Sequence, residues 1–583
     1  MQNYVNKLKD FMYRDWLDDI KNFYLNINPV YRRSFWILFI ITNIVFGFYT
    51  INFLWGNHDW GSIIKGKLYN ASFHEGRYGA FVISEFLTGN LYLPIISALW
   101  SYAALSLSAV LLAIYWKVPT KTSYFVIFGL ILNITPYTLS WLWYAHWTVN
   151  IFFGRLLIFA SFILSDKIMT SKFIKQKFLM TILVIAMLNF SLSIYPSFIG
   201  TFVMVLVGRI LVEMIDWSSW KQGCVDTFKQ NKFSVVNLLI AIVIYKIVLE
   251  YMKYKKIINE NFYNMQTIAI AEMPEKILFS IKSAWIQFTD FATPFYPDIL
   301  TKMFLILAII FIIQVLVFSK KTFAVKASIF AVYTVSLFLT KVVAFISNSP
   351  SAIYQVRIDF CGYVLFNALI IALCLNIGGI LQNIKIILSC FIIYIFSVND
   401  FHMLRTWKLG LEAEKIEWNR VAERISSNPA FDFNNYYQCV QIGNWKAKRP
   451  YFIDKRDKMM KMESIDLLNY SHTPRWAPFV TITFYNPFNV KRSIRISDFT
   501  NPEYMSALKR IYDAGLLENA KAWPAQNSII VYDDIILVIM DEKDLQKAKQ
   551  LLAEQDKKEK VQKDKINVKA KSAENLRPQM EAK

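Results

Sequence analysis

"SFWILFIITNIVFGFYTINFLW", Ser34 to Trp55, is a run of 22 residues without one charged side chain. An α-helix rises about 1.5 Å per residue, so about 20 such residues cross the roughly 30 Å hydrocarbon core of a bilayer. Directly after it comes "GNHDWGSIIKGKLYNASFHEGRYGA", Gly56 to Ala80, which gathers His58, Asp59, His74, Glu75 and Arg77 into one loop.

Working outward, similar apolar runs recur at Leu93 to Trp116, Ser123 to Trp143, Thr148 to Ser165, Phe178 to Phe190, Thr201 to Ile215, Val235 to Tyr251, Leu300 to Phe318, Val325 to Phe345, Phe360 to Leu375 and Ile386 to Val398, about eleven in all. With 55% hydrophobic residues, 18% charged residues and a mean hydropathy of +0.33, the chain is too apolar for ordinary soluble domains. The pattern predicts a mainly α, polytopic membrane protein of about eleven transmembrane helices. The first run is too long and too far from the start to read as a cleaved signal peptide, so it reads as a signal anchor.

Lysine and arginine are retained on the cytoplasmic side during insertion. Alternate connections are basic: Lys7 to Arg33 at the amino terminus, then Lys117 and Lys121, Lys167 to Lys177, Lys221 to Lys232, and Lys320 to Lys326. The turns "WYAHWT" and "SIYPS" between them carry no lysine or arginine. This predicts a cytoplasmic segment 1–33, a transmembrane domain 34–400 with an outer loop 56–92 and an outer segment 252–299, and an exported carboxyl-terminal part. Within that part, 401–553 reads as a small α/β domain. Helical spacing is expected over Leu411 to Ile425, Glu503 to Leu517 and Glu542 to Leu552. Strands are expected at Tyr436 to Ile442 and on either side of Asp533-Asp534. The tail 554–583 mixes both signs without apolar periodicity and reads as disordered or a frayed helix.

Several function classes are disfavoured. The formal charge of +21 is dispersed over loops and the far carboxyl end rather than set in a stripe, so it speaks for anionic lipid and against nucleic acid. Five cysteines without CxxC spacing give neither a disulfide framework nor a thiolate metal site. The carboxyl-terminal part holds no GxGxxG, P-loop, HExxH or GxSxG motif, so docking or support suits it better than chemistry. What remains is a set of ionisable groups on the predicted outer side: all five histidines, His58, His74, His146, His402 and His472, together with Arg77, Arg155, Lys341, Arg357 and Asp359. A charge within a membrane helix is costly and needs a partner or a purpose. Several cations near one face suit an anionic lipid headgroup; snorkelling and local ion pairing are the alternative.

A first membrane helix, a long outer loop with an acid in "NHDWG", and then "EGRYGAFVISEFLTGNLYLP" leading into the next helix resemble the bacterial type II glucosyl transferase family. "SIYPSFIGTF" and "YQVRIDF" add weaker matches. Two departures stand beside them: His58 precedes Asp59 where members often carry adjacent acids, and "WLWYAHWTVN" replaces a polar, acid-containing patch. The resemblance implies a C-type glycosyltransferase in the bacterial inner membrane. Such an enzyme moves glucose from a polyprenyl-phosphate donor to a surface glycan such as O-antigen, with membrane lipids around it. In that scheme Asp59 and Glu75 are the catalytic acids. Arg77, Arg357, Lys341 and Arg155 bind the donor phosphate, while His58, His74, His146 and Tyr195 hold sugar or acceptor. No cofactor and no metal is implied. Asp59 also suits a helix cap, Glu75 an ion-pair partner for Arg77, and the whole loop an interfacial re-entrant helix. The competing functions are a polyprenyl-linked glycan flippase and an O-antigen ligase or polymerase. The chain lacks the paired, Gly/Pro-broken repeats of a transporter.

Overall fold

Asn28 and Pro29 start the first long helix. The Asn28 side chain accepts from the Val30 amide at 2.9 Å and Pro29 occupies the first helical position, where its missing N–H costs nothing. The computed structural model describes residues 16–54, 56, 62, 71–91, 93–142, 144–258, 270–289, 298–345, 360–379, 381–443, 461–462, 465–466, 490–493 and 496–580. After a short α1 (Trp16–Asn26), α2 spans Pro29–Asn52 and ends where Phe53 turns left-handed at φ 51°. Then come α3 (Ala71–His74), α4 (Tyr78–Thr88), α5 (Pro94–Tyr115), α6 (Thr122–Asn133), α7 (Pro136–Leu142), α8 (Ala145–Thr170), α9 (Ile174–Ile194), α10 (Phe198–Asp216) and α11 (Trp220–Tyr254). They are followed by α12 (Met273–Thr289), α13 (Asp298–Ile313), α14 (Phe323–Leu339), α15 (Tyr363–Asn376) and α16 (Gln382–Ser426).

Every one of the expected apolar runs falls on a helix, yet not all are full spans. Among the described residues eight helices are long and apolar enough to cross a membrane, nine if the bent pair α6–α7 counts as one. The bend of 51° falls at Pro136, whose ring removes an amide donor and crowds the preceding turn. The ninth and tenth runs form the shorter α14 and α15. The chain is a helical membrane protein. Helix α4 lies inside the stretch expected as an outer loop, for which a re-entrant helix is the alternative reading.

α8 is the hub of this unit, touching α4, α5, α7, α9, α10 and α11. Close approaches depend on glycine. A Cβ on Gly79 of α4 would overlap Ser193 Oγ and come within 2.8 Å of the Phe190 carbonyl of α9, and one on Gly208 would overlap Trp116. At the far end of α10 from its start at Phe198, charges from several segments meet. Arg209 pairs with Glu213 at 2.5 Å and Asp166 at 3.4 Å, and Lys117 reaches Glu213 at 3.9 Å. Arg209 and Glu213 are buried, and pairing is what makes that tolerable.

A second compact unit begins near Thr406. Its described sheet has the order β4–β1–β6–β5, with β1 (Tyr437–Ile442) parallel to both β4 (Val490–Ser493) and β6 (Ile535–Ile539). β5 (Ile529–Tyr532) pairs antiparallel with β6 through a turn in which Asp533 has φ 49°. A separate small pairing joins β2 (Lys461–Met462) and β3 (Ile465–Asp466). Alternation along β6 divides the core by face, as the period of two requires. Ile535, Leu537 and Ile539 pack with α17 (Pro502–Asp513) and α18 (Glu542–Met580), whereas Ile536 and Val538 pack with Trp418, Val421 and Ile425 of α16. The module is α/β, and α18 continues as helix through the charged tail to Met580.

Candidate active site

Glu75 and Arg77 flank Gly76, whose φ of 77° reverses the chain between α3 and α4 at a position that an L side chain rarely adopts. Arg77 Nη1 donates to Glu75 Oε2 at 2.7 Å, with the two side chains 23% and 18% exposed. The guanidinium lies 5.1 Å from the ring centre of Trp147 and 5.6 Å from that of Tyr195. A cation over two aromatic faces is attracted by the negative faces of the rings, more strongly where water is partly excluded. α4 is anchored beside it: Tyr78 OH donates to Asn189 at 3.0 Å, and Ser84 and Asn150 exchange hydrogen bonds at 2.9 and 3.2 Å.

The aromatic wall continues inward. Tyr195 meets Trp141 edge-on at 5.2 Å, Trp141 meets Phe360 at 6.0 Å, and the Arg155 guanidinium lies 4.7 Å from the Phe360 ring and 5.5 Å from Phe159. Arg155 is 1% exposed. Among the described residues, four buried nitrogen donors along this wall have no hydrogen-bond partner: Arg77 Nε, Trp141 Nε1, and Arg155 Nη1 and Nη2. Leaving a buried donor unmatched costs about 1–3 kcal/mol, and more for a charged group. Acceptor oxygens and negative charge are the groups that would match these donors.

The remaining sequence candidates fall as follows. His74 ends α3 with Nδ1 2.9 Å from the Ile257 carbonyl, exposed and turned to that segment. Lys341 is fully buried just beyond α14, its amide bonded to Phe338 O at 3.2 Å. His58, Asp59 and Arg357 lie outside the described residues, as does the side chain of His146 in the first turn of α8. The structure thus brings together Glu75, Arg77 and Tyr195, and joins them to Arg155 through Trp141 and Phe360. Trp141, Trp147 and Phe360 are additions that the sequence reading did not select. The only signal for the two tryptophans was the unusual "WLWYAHWTVN".

A family model described as glucosyl transferase GtrII matches residues 48–357, which is more than half of the 583-residue chain and includes Glu75, Arg77, Trp141, Trp147, Arg155 and Tyr195. Neither a curated protein nor a solved structure matches the chain.

Proposed function

The chain belongs to the glucosyl transferase GtrII family, and from that premise we propose that it moves glucose from a polyprenyl-phosphate donor to a surface glycan such as O-antigen. The site faces outward from the bacterial inner membrane, with the amino terminus cytoplasmic. The observation that carries the donor class is the set of nitrogen donors at Arg77, Trp141 and Arg155 on one aromatic wall that have no partner among the described residues. A phosphodiester has acceptor oxygens for such donors, and its charge matches the two guanidiniums.

In the proposed step the acceptor hydroxyl oxygen bonds to the anomeric carbon as that carbon's bond to the phosphate oxygen breaks. The electron pair leaves with polyprenyl monophosphate, which gains one negative charge, and the hydroxyl proton passes to a carboxylate. Preorganised cations stabilise the charge that develops on the leaving phosphate. Glu75 is ion-paired to Arg77, which suits a carboxylate that holds the guanidinium in place. Asp59 takes the base role. Arg357 and Lys341 are further phosphate candidates, and His58, His74, His146 and Tyr195 sugar or acceptor candidates; no cofactor is invoked.

The deciding assay follows labelled glucose from polyprenyl-phosphate glucose into glycan, using purified, equally folded variants. Wild type should consume the donor. Asp59→Asn should lose turnover by roughly 10²–10⁴-fold, the usual contribution of a positioned base, and Glu75→Gln should be milder. Donor left intact by wild type with a range of glycan acceptors would overturn the reading, and near-normal turnover by Asp59→Asn would remove the base assignment.

A further inference from the structure

Far from the Arg77 cluster, a cavity of about 490 Å³ opens between α10, α11 and α14, within the range of roughly 300–1,000 Å³ typical of ligand pockets. Its walls are Ile210 and Met214 of α10, Phe228, Val235 and Val236 of α11, and Val332 of α14. Polar groups at its rim are already occupied. Trp217 Nε1 donates to Thr227 Oγ1 at 3.1 Å, Trp220 Nε1 donates to Ser328 Oγ at 2.8 Å, and Asn231 donates to Glu213 at 3.1 Å. Among the described lining residues the indole and amide donors are thus engaged, and apart from Cys224 and Lys232 the remaining wall is apolar, so the interior suits a hydrocarbon chain.

The mouth tells what that chain carries. Lys232 lines the cavity, and beside it Lys321 Nζ donates to the carbonyl of the lining residue Trp217 at 2.9 Å. The flanking segments add Lys221, Lys229, Lys320 and Lys326 against Asp216 and Asp226, and Asp226 is engaged by Gln222 at 2.8 Å. The Trp217 and Trp220 rings mark the depth at which aromatic side chains settle between hydrocarbon and headgroups. We infer that this groove holds an acyl chain of an anionic phospholipid, with the headgroup phosphate on Lys232 and Lys321. Its basic mouth complements one negative headgroup, and basic pockets between membrane helices recognise lipid in this way. The 19-residue α10 separates this mouth from Tyr195 by about 28 Å at 1.5 Å per residue, so one donor phosphate cannot serve both sites. The inference is independent of the reading of the Arg77 site.

The test uses the full chain, purified in detergent and stripped of lipid, titrated with phosphatidylglycerol or phosphatidylcholine. Melting temperature and bound lipid by native mass spectrometry are the readouts. Phosphatidylglycerol should raise the melting temperature saturably and phosphatidylcholine much less. Lys232→Gln and Lys321→Gln should each weaken phosphatidylglycerol binding roughly fivefold, from the surface attraction of one basic residue. Val332→Trp, which fills the groove, should abolish binding of both lipids; if it does not fold, the lysine variants decide alone. Equal stabilisation by the two lipids, a phosphatidylglycerol preference that survives both lysine changes, or displacement of phosphatidylglycerol by equimolar polyprenyl phosphate would overturn the inference.

Discussion

Arg155 is fully buried in a membrane helix, with Phe159 and Phe360 against its guanidinium and both terminal nitrogens unmatched among the described residues. Such a group works against folding, because its hydration is lost and, among the described residues, only the two ring faces offset that loss. Arg155→Met keeps much of the length and removes the unmatched charge. It should raise the melting temperature of the ligand-free protein while lowering kcat/KM for the donor by roughly 10–100-fold, the scale of lost hydrogen bonds to a charged group. A purely structural arginine would do the reverse, and lower stability with unchanged donor use would sink the phosphate role. Arg155, Arg77 and Glu75 were legible in sequence because ionisable groups stand out against apolar runs. Trp141, Trp147 and Phe360 were not: with 16% of the chain aromatic, nothing marks three rings as one wall until helices far apart in sequence are packed.

Elements show a parallel division. Length and apolarity located the helices, since each run had to satisfy its own backbone hydrogen bonds inside hydrocarbon. Where a run bends or falls short depends on neighbours and on single residues such as Pro136, so the expected count of about eleven spans resolves, among the described residues, into eight or nine long ones plus α14 and α15. α4 is legible in sequence only as the re-entrant alternative for the loop, because its segment, with Gly79, Ser84, Glu85 and Gly89, is short and interrupted. Its helix is held by docking. Gly79→Ala should force α4 off α9, since the added carbon overlaps Ser193 Oγ and the Phe190 carbonyl cannot yield. Overpacking of this kind costs about 1–3 kcal/mol. Arg77 is the residue immediately before α4, so donor affinity should fall along with melting temperature. Gly89→Ala is the control: nothing lies within 4 Å of the added carbon, and only its φ of 58° resists, a cost of about 1 kcal/mol. Equal donor affinity in Gly79→Ala and wild type would show that Arg77 is not positioned through this contact.

For the whole molecule, parity of membrane crossings decides on which side each end lies. Eight crossings would return the chain to its starting side, whereas nine or eleven would leave it on the other; the bent pair α6–α7 and the short helices α14 and α15 are the elements that decide. Charge distribution bears on the same question. The amino-terminal Lys7 to Arg33, then Lys117, Lys167 to Lys177, Lys221 to Lys232 and Lys320 to Lys326 fall in or beside alternate connections, while Glu75 and Arg77 lie between the first two of these basic segments. Retention of basic loops in the cytoplasm therefore predicts an odd count, with the Arg77 site and the α/β unit both outside. A reporter active only outside the cytoplasm should be active when fused after Lys583 and silent when inserted between Lys320 and Lys321. A second insertion, between α7 and α8 at Tyr144, separates the parity arguments: activity there requires the bent pair to cross as one span. Silence after Lys583 with activity at Lys320 would reverse the orientation and move the Arg77 site to the cytoplasmic face. Silence at both positions would mean that α14, α15 and α16 together cross an even number of times, leaving the Arg77 site outside and the α/β unit inside.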